Sequence, residues 1–450
     1  MPPPFPAVRR SMSVVRRLAA RALTSQALRD ARRAGAGVAR RLRGQRRQAT
    51  FYWQLDDPYA AVALPYLARL AMRHRLGLVV RLVPAPDAAA APEPAMLAAY
   101  ARRDAMLLAG ALGLPPVAPA APGEGVVARA ERVAAHALAQ AAPIDALIAL
   151  ARALAGPAPE AALAPLAARH GEASPAATAR LLASGAAARA RAGHYLGSVT
   201  QFEGEFYWGV DRLHYLEARL AGGGAPELCP VLDPVLPPHE RPLAGPAPIL
   251  DFYLSFRSPY TMVAAERIGA LADHYGADLR LRFVLPMVMR GLPVPGAKRL
   301  YITLDTKREA ARFGLAFGSI VDPVGPGVER GLAVLHHAIA AGRGLAFARA
   351  FLTGAFARGI DMTGDALFGM AESAGLNADA VRAALADDSW RAVAEANRAQ
   401  MFALGLWGVP SFQVGARAPH WGQDRLWAVE DDLRAERGLA PIDRRMPCDG

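Results

Sequence analysis

The sequence predicts an α/β protein in which one structural plan occurs twice. Short identical segments recur at a nearly constant spacing, each copy repeats one order of strand and helix patterns, and a Gly- and Pro-rich stretch separates the copies. The 450 residues are too many for one compact domain, and a hydrophobic content of 53% is too high for a disordered chain. Two or more globular units are therefore expected.

The repeated segments include some of the rarest residues of the chain. The matches that open each copy are Phe51-Tyr52 with Phe252-Tyr253 and Pro58-Tyr59 with Pro259-Tyr260. Near the end of each copy, Trp208-Gly-Val-Asp-Arg-Leu213 recurs as Trp421-Gly-Gln-Asp-Arg-Leu426. Since the chain has six Trp in all, a match of this length that includes Trp is hard to obtain by chance.

The repeat sets the expected domain limits. Residues 50–222 and 248–440 form the two copies, and residues 223–247 between them are typical of a semi-rigid linker. Residues 1–48 are predicted to be a basic, flexible arm, and residues 441–450 a short tail.

Each copy is predicted to pack helices on a small sheet. In the second copy a strand leads into a turn at Ser258-Pro259, where Pro is tolerated because the first N–H groups of a helix have no intrahelical partner. The elements predicted for this copy are a strand over Ile249–Leu254, an amphipathic helix from Pro259, a strand over Leu279–Leu285, a helical region over about 298–403, strand-like segments from Gly408 to Trp421 and a helix over about Arg425–Ala435.

The positive charge of the chain lies almost entirely in its N-terminal arm. Residues 1–48 hold 13 Arg and one acidic residue, Asp30, whereas the rest of the chain is electrically balanced. The body is therefore not expected to bind nucleic acid specifically. The arm has two interpretations: an amphipathic segment for anionic lipid, nucleic acid or targeting, or a solvated extension. No run of eighteen uncharged apolar residues predicts a membrane-spanning helix.

Cysteine usage excludes several kinds of site. The two cysteines, Cys229 and Cys448, are far apart, and there is no C-x-x-C pair and no zinc spacing. Neither dithiol redox chemistry nor a metal site is supported, and none is predicted. The pattern fits a reducing compartment, so a cytoplasmic location is expected.

Two features of the second copy are candidates for chemistry. Ser258 places a hydroxyl at a helix N-terminus, where unpaired N–H groups and the dipole favour an anion such as a thiolate. Gly408-Val409-Pro410 before a strand can hold a cis peptide and present the Val409 backbone to an extended ligand. The structural alternatives are a simple helix cap at Ser258 and an ordinary turn at Val409-Pro410.

Two further clusters carry charge at helical spacing. Lys298, Tyr301, Asp305 and Arg308 fall on one helix face, which is either a ligand site or a solvated, salt-bridged stripe. Asp424 begins a helix, where it can cap the helix or bind an ammonium group.

A comparison of the two copies favours a site in the second. Aligned by sequence, the first copy replaces four of these candidates, with Asp57 for Ser258, Leu97 for Lys298, Leu107 for Arg308 and Thr200 for Pro410. The shared residues then describe the architecture, and the four replaced ones are the features that a site would need. The second copy is predicted to be active and the first degenerate.

At these residues the second copy resembles the 2-hydroxychromene-2-carboxylate isomerases and kappa-class glutathione transferases, which have the DsbA-like thioredoxin fold. The segments that carry the resemblance span nearly all of 250–432 in the same order. They are Asp251-Phe-Tyr-x4-Ser258-Pro-Tyr, Lys298-x-x-Tyr301-x-x-x-Asp305-x-x-Arg308, Gly408-Val-Pro410 and Gly422-Gln-Asp424-Arg425-Leu. The resemblance implies two tandem thioredoxin-like domains, each with a helical insertion, the first without the serine and the cis-proline.

The resemblance also implies bound glutathione and roles for single residues. Ser258 would face the glutathione sulfur and Val409 would pair with the cysteinyl backbone, while Gln423 and Asp424 would hold the γ-glutamyl end. Pro259, Tyr260 and Pro410 are also expected around glutathione. By their charge, Lys298 and Arg308 can attract the carboxylate of an aromatic, pyruvate-like substrate, and Tyr301 can position it. The expected function is glutathione-dependent isomerisation or transfer.

Two other classes of function stay open at this point. One is a thiol–disulfide oxidoreductase, which is disfavoured because no cysteine occupies the strand-to-helix turn. The other is a non-catalytic binding protein, in which the two copies pair within the chain as the subunits of a homodimer do.

Overall fold

The computed structural model describes residues 17–224, 226–239, 243 and 245–444. They form two compact units. Arg33–Leu232 make up the N-terminal unit, and Asp233–Ile442 together with the residues up to Arg32 make up the C-terminal unit. Each unit contains a sheet and several helices, so the predicted α/β class is confirmed.

The N-terminal unit is built on four strands. They are β1 (Gln48–Trp53), β2 (Gly77–Leu82), β3 (Val199–Phe202) and β4 (Glu205–Trp208). The strand order is β2-β1-β3-β4, with β1 parallel to β2 and antiparallel to β3, and β3 antiparallel to β4. Its helices are Tyr59–Arg73, Pro94–Ala111, Glu124–Ala139, Ile144–Ala155, Pro159–His170, Pro175–Ala192, the short Val210–Arg212 and Leu213–Leu220.

The C-terminal unit has a sheet of the same order. Its strands are β5 (Ile249–Leu254), β6 (Asp278–Phe283), β7 (Ser411–Val414) and β8 (His420–Trp421), in the order β6-β5-β7-β8. Strand β5 is parallel to β6 and antiparallel to β7. Its helices are Pro259–Tyr275, Met287–Arg290, Gly296–Arg312, Pro326–Ala340, Gly344–Thr353, Gly354–Arg358, Ala366–Ser373, Ala378–Ala386, Trp390–Ala403, Gln423–Arg425 and Leu426–Glu436.

The helix that follows β5 has a defined start and end. Ser258 caps its N-terminus and Pro259 is its first residue, where the absent N–H costs no helical hydrogen bond. Gly276 ends it in the left-handed region at φ 58°, which glycine adopts without strain. The parallel β5–β6 pair that this helix connects fixes the turn at Ser258 at the carboxyl end of β5.

The core of the C-terminal unit lies between the sheet and the helices inserted between β6 and β7. Phe256, next to the Ser258 turn, stacks on Phe351 with ring centroids 4.0 Å apart, and both are fully buried. Gly331 lies against both rings, because a Cβ there would be 2.8 Å from Phe256 and still closer to Phe351. This packing in the core supports the turn at Ser258.

A buried glutamate fixes the start of the C-terminal unit. Glu430, fully buried on the last helix, accepts hydrogen bonds from the Val235 amide at 2.9 Å and from the Leu236 amide at 2.7 Å. It also accepts a bond from Tyr275 at 3.0 Å. A carboxylate that receives several N–H and O–H donors is stable in the interior, so part of the predicted linker is bound to the unit.

The predicted arm contains regular structure. Residues 17–23 are helical, and a second helix covers Gln26–Leu42. Thr24 is 6% exposed and lies against Gly318 of the C-terminal unit. Residues 1–16 of the arm and 445–450 of the tail lie outside the described residues, as does Cys448. None of the helices in the described part of the chain is long and apolar enough to cross a bilayer.

A single methyl group at position 331 tests the packing under the turn. Gly331→Ala is expected to lower the free energy of unfolding by about 1–3 kcal/mol, because the new Cβ overlaps both phenyl rings. Urea unfolding followed by circular dichroism measures the change. The control is Gly369→Ala on an exposed helix position with open space around it, which is expected to gain about 0.5–1 kcal/mol. Equal effects of the two changes would contradict the packing described.

Candidate active site

Ser258 occupies the turn between β5 and helix Pro259–Tyr275. Its hydroxyl oxygen accepts a hydrogen bond from the Thr261 amide at 3.2 Å, and the hydroxyl donates to the Val409 carbonyl oxygen at 3.2 Å. Ser258 is half-buried, whereas Thr261 is fully buried. The oxygen therefore lies at the positive end of a helix dipole and remains within reach of a ligand.

The segment opposite Ser258 is Gly408-Val409-Pro410. The Val409–Pro410 peptide bond is cis, as its sequence suggested. The Pro410 carbonyl accepts a hydrogen bond from the Gly422 amide at 2.9 Å, and Val409 is half-buried. A Cβ at Gly408 would lie 2.8 Å from the Trp421 ring, so the backbone passes this ring at a distance that only glycine permits.

Helix Gly296–Arg312 presents a polar face to the interior. Asp305, 1% exposed, accepts a hydrogen bond from Tyr260 at 2.7 Å and pairs with Arg308 at 2.5 Å. Tyr301 is buried on the same helix. Lys298, one turn earlier, is half-buried, and this burial lowers the pKa of its ammonium group.

Gln423 is at the centre of a buried polar network. It donates to Glu309 at 2.6 Å and accepts from Arg267 at 2.9 Å, and it is 2% exposed. Arg267 also pairs with Asp233 at 3.0 Å. The side-chain amide of Gln423 also donates a hydrogen bond to the neighbouring Asp424, which is half-buried. Of the two residues, Asp424 is the one that reaches the surface.

The sequence profile of the DsbA-like thioredoxin domain matches residues 249–434. These limits contain the whole β5–β8 sheet, the helices inserted between β6 and β7, and every candidate residue described above. The C-terminal half of the chain is a DsbA-like thioredoxin domain.

Solved structures similar to this chain include enzymes of two classes. A 2-hydroxychromene-2-carboxylate isomerase is 22% identical, with 43% of this chain and 99% of the other covered and a TM-score of 0.36. A probable DsbA oxidoreductase from Streptomyces coelicolor is 23% identical, with 43% and 92% covered and a TM-score of 0.33. The cytosolic disulfide reductase DsbM from Pseudomonas aeruginosa is 21% identical, with 42% and 96% covered and a TM-score of 0.34. No curated protein sequence matches the chain at a significant level.

The DsbA-like domain brings part of the predicted site together. Direct hydrogen bonds join Ser258 to Val409 and Tyr260 to Asp305. Arg308, predicted on the substrate, is instead 8% exposed and directed to Asp305. Gln423 is likewise turned into the interior, towards Glu309.

Sequence reasoning missed an ion pair beside Ser258. Arg257 donates to both oxygens of Asp322, with distances of 2.7 Å to one and 2.9 Å to the other. The pair joins the turn to a loop far away in sequence, so no local spacing could reveal it. Sequence reasoning also missed Glu309 and Arg267, since an isolated charge on a helix does not show whether it is buried.

The N-terminal unit shows what stands at the equivalent positions. Tyr253 pairs with Ser411 in one sheet and Tyr52 with Val199 in the other, so the residue that corresponds to Pro410 is Ser198. The Ser198 carbonyl accepts a hydrogen bond from the Gly209 amide at 3.0 Å, just as the Pro410 carbonyl accepts one from the Gly422 amide. Each glycine directly follows the Trp that the two units share. Thr200, aligned with Pro410 by sequence, lies two residues further along, inside strand β3, so that alignment was wrong. The sequence does not reveal which residues pair across the strands.

Asp57 stands where the DsbA-like domain has Ser258. Its carboxylate accepts a hydrogen bond from the Tyr59 amide at 3.0 Å. Burial raises the pKa of Asp57 to about 6, and the hydrogen bond from the Tyr59 amide offsets part of this rise. A carboxylate at this turn repels an anionic sulfur, which a hydroxyl would stabilise.

The described residues near these turns include neither a metal-binding cluster nor a reactive thiol. Among the described residues, no three His, Cys, Asp or Glu side chains come close enough to hold a metal ion. Cys229 is 1% exposed, and burial together with Glu217 raises the pKa of its thiol, which disfavours the reactive thiolate.

The raised pKa of Asp57 predicts how stability depends on pH. A carboxyl whose pKa is raised on folding contributes stability that is fully present below its ordinary pKa of 3.8 and is lost as pH rises through about 6. Asp57→Asn is therefore expected to stabilise helix Tyr59–Arg73 by on the order of 1–3 kcal/mol at pH 7.5, with the gain vanishing near pH 4. Hydrogen exchange of that helix measures it.

The control for this prediction is Asp56→Asn, on the exposed neighbour of Asp57. It removes the same charge from the same turn. Its gain at pH 7.5 should be much smaller, because repulsion by Asp56 contributes less than burial to the raised pKa of Asp57. A gain at pH 7.5 that is the same for both variants would contradict a raised pKa of Asp57.

Proposed function

We propose that this protein is a glutathione-dependent isomerase of the 2-hydroxychromene-2-carboxylate type, acting on an aromatic, pyruvate-like substrate. The observation that carries the proposal is the Ser258 hydroxyl. It is half-buried, lies at the N-terminus of helix Pro259–Tyr275, and is within 3.2 Å of the Val409 carbonyl oxygen. A hydroxyl at this point can stabilise a thiolate that the chain itself does not supply.

The donor set suits the sulfur end of glutathione. The Ser258 hydroxyl and the dipole of helix Pro259–Tyr275 both favour negative charge, and Pro259 leaves this end of the helix without one N–H. With fewer backbone donors at the turn, the serine hydroxyl has more of the charge to stabilise. The Thr261 amide keeps the serine rotamer fixed through the cap.

The Ser258–Val409 hydrogen bond suggests how the site responds to glutathione. The Val409 carbonyl accepts the Ser258 proton at 3.2 Å. A cysteinyl N–H that pairs with the Val409 carbonyl competes for the same oxygen, and Ser258 can then turn its proton to the sulfur. The backbone pairing and the thiolate contact would therefore form together, since the first releases the donor that the second needs.

The other end of the peptide is proposed to meet Asp424. This residue is half-buried at the start of the last helix and can pair with the α-ammonium of the γ-glutamyl group. Gln423 would not contact the peptide itself. Its hydrogen bonds to Glu309 and Arg267 hold the turn that carries Asp424. Gln423 is thus a positioning residue. Pro259, Tyr260 and Pro410 are proposed to line the rest of the glutathione site.

The substrate carboxylate is assigned to Lys298. This half-buried side chain keeps a charge in a partly desolvated place, where attraction to an anion is stronger than in water. Tyr301 lies one turn further along the helix and would orient the substrate. Arg308 would contribute through Asp305, whose charge it balances.

When bound, glutathione supplies a thiolate that can add reversibly to a conjugated double bond, after which the neighbouring bond rotates and elimination returns the isomer. The residues of the chain hold the charges that this chemistry requires. Ser258 donates a hydrogen bond to the sulfur anion, and Lys298 balances the substrate carboxylate.

We further propose that the N-terminal unit is a degenerate copy of the DsbA-like domain. Support comes from the common strand order and from the Tyr59–Asp104 hydrogen bond of 2.7 Å, which matches Tyr260–Asp305 at 2.7 Å. Glu217 also binds backbone amides, as Glu430 does. Asp57 at the turn would prevent thiolate binding in this unit.

Removing the Ser258 hydroxyl tests its role in stabilising the thiolate. Ser258→Ala is expected to raise the pKa of the glutathione thiol in the complex by about one unit and to lower isomerase turnover more than roughly tenfold, since one donor to the anion is lost. The thiolate absorbance of bound glutathione against pH and the rate with 2-hydroxychromene-2-carboxylate measure the two effects.

Ser255→Ala is the matched control. Ser255 lies in the same turn and is 2% exposed, and its hydroxyl has no hydrogen-bond partner among the described residues. Both the thiol pKa and the turnover should then equal those of the wild type. An unaltered rate in Ser258→Ala would remove Ser258 from the mechanism, and disulfide reductase activity with an unligated protein would favour the oxidoreductase alternative.

The assignment of Lys298 predicts a binding defect. Lys298→Gln is expected to raise KM for the carboxylate substrate about tenfold and to leave glutathione affinity unchanged, since it removes the charge that attracts the carboxylate. Steady-state kinetics measure KM, with Arg299→Gln as the control for net charge at an exposed neighbour. A KM that changes equally in both variants would show that only long-range charge matters.

A further inference from the structure

Helix Gln26–Leu42 has one face fixed to the protein by ion pairs. Arg33 pairs with Glu205 at 2.6 Å, and Arg40 pairs with Glu203 at 3.0 Å. The two arginines are seven residues apart, so they lie on the same side of the helix. The residues about half a turn away from Arg33 and Arg40 therefore form the opposite face of the helix.

The opposite face is apolar and exposed. Its residues share the spacing of a helix stripe, three or four apart, and they are Leu28, Ala31, Gly35, Val38 and Leu42. Leu28 is 44% exposed, Val38 46% and Leu42 83%. A Cβ built on Gly35 would meet nothing within 4 Å, so the middle of the stripe is uncovered as well.

Arginines border this stripe on both sides. Arg32 and Arg43 lie along one edge and Arg41 along the other, and all three are exposed. The only acidic residue of the helix is Asp30. A helix normally turns its apolar side to the core, so an apolar stripe that faces outwards between cationic rows is a docking surface.

We propose that helix Gln26–Leu42 docks this protein on the surface of a bilayer that contains anionic phospholipid. The stripe enters the boundary between headgroups and acyl chains, and the arginines bind the headgroup phosphates. Such a surface contacts both the apolar stripe and the arginines beside it. Nucleic acid would engage the arginines and leave the apolar stripe in water, and a second copy of the helix would bring like-charged rows together.

The test is sedimentation of the full chain with vesicles of phosphatidylcholine, with and without phosphatidylglycerol. We expect the partition coefficient to be at least tenfold higher with the anionic lipid and to fall as salt is added. Replacing the stripe by Leu28→Gln, Val38→Gln and Leu42→Gln should lower it at least tenfold. Met72→Gln, at an apolar position 79% exposed elsewhere, is the control and should not change it.

The charge of the surface is tested in parallel. Arg32→Gln with Arg41→Gln should weaken binding about fivefold for each arginine removed, the factor that corresponds to about 1 kcal/mol. Arg73→Gln with Arg152→Gln removes the same charge at exposed positions of other helices and should have a much smaller effect. Circular dichroism of each variant verifies that the fold is retained.

Three results would overturn the proposal. The first is equal binding of the wild type and the stripe variant to anionic vesicles, or no binding by either. The second is a dimer, found by analytical ultracentrifugation, that the stripe variant abolishes, since the face would then belong to a second copy. The third is retention on single- or double-stranded nucleic acid without any binding to vesicles.

Discussion

The candidate site depends on one hydroxyl with two bonds. Ser258 accepts from the Thr261 amide and donates to the Val409 carbonyl, so a single side chain joins the start of a helix to the segment before β7. The first bond makes Ser258 a cap, as many serines are. The second makes it a candidate for function, because it points the proton at a backbone oxygen that an extended peptide could use.

The rest of the DsbA-like domain keeps this contact in place. Phe256 and Phe351 support the turn from the core, and Trp421 packs so closely on Gly408 that the Val409 segment has little freedom. A second layer is polar. Buried Asp305 accepts hydrogen bonds from Arg308 and Tyr260, and buried Glu309 accepts one from the Gln423 side chain. Buried hydrogen bonds and one ion pair, Asp305–Arg308, therefore lie close to the site.

Much of this could be predicted from sequence, and the limits have physical causes. Strand β5, the capped helix after it and the Val409–Pro410 segment follow local rules of turns and caps, and they are where predicted. The inward direction of Gln423 and Arg308 depends on partners such as Glu309 and Asp305 and on burial, which no spacing encodes. Ser198 was missed as the counterpart of Pro410 because register is a property of paired strands.

The proposed chemistry requires that the protein binds glutathione as a thiolate. Calorimetric titration of the full chain with glutathione at neutral pH, in buffers of different ionisation enthalpy, tests it most directly. The heat of binding is expected to vary with the buffer, because the thiol releases its proton on binding, and S-methylglutathione is expected to show no such variation. Heat of binding that is the same in every buffer, or no binding at all, would contradict it.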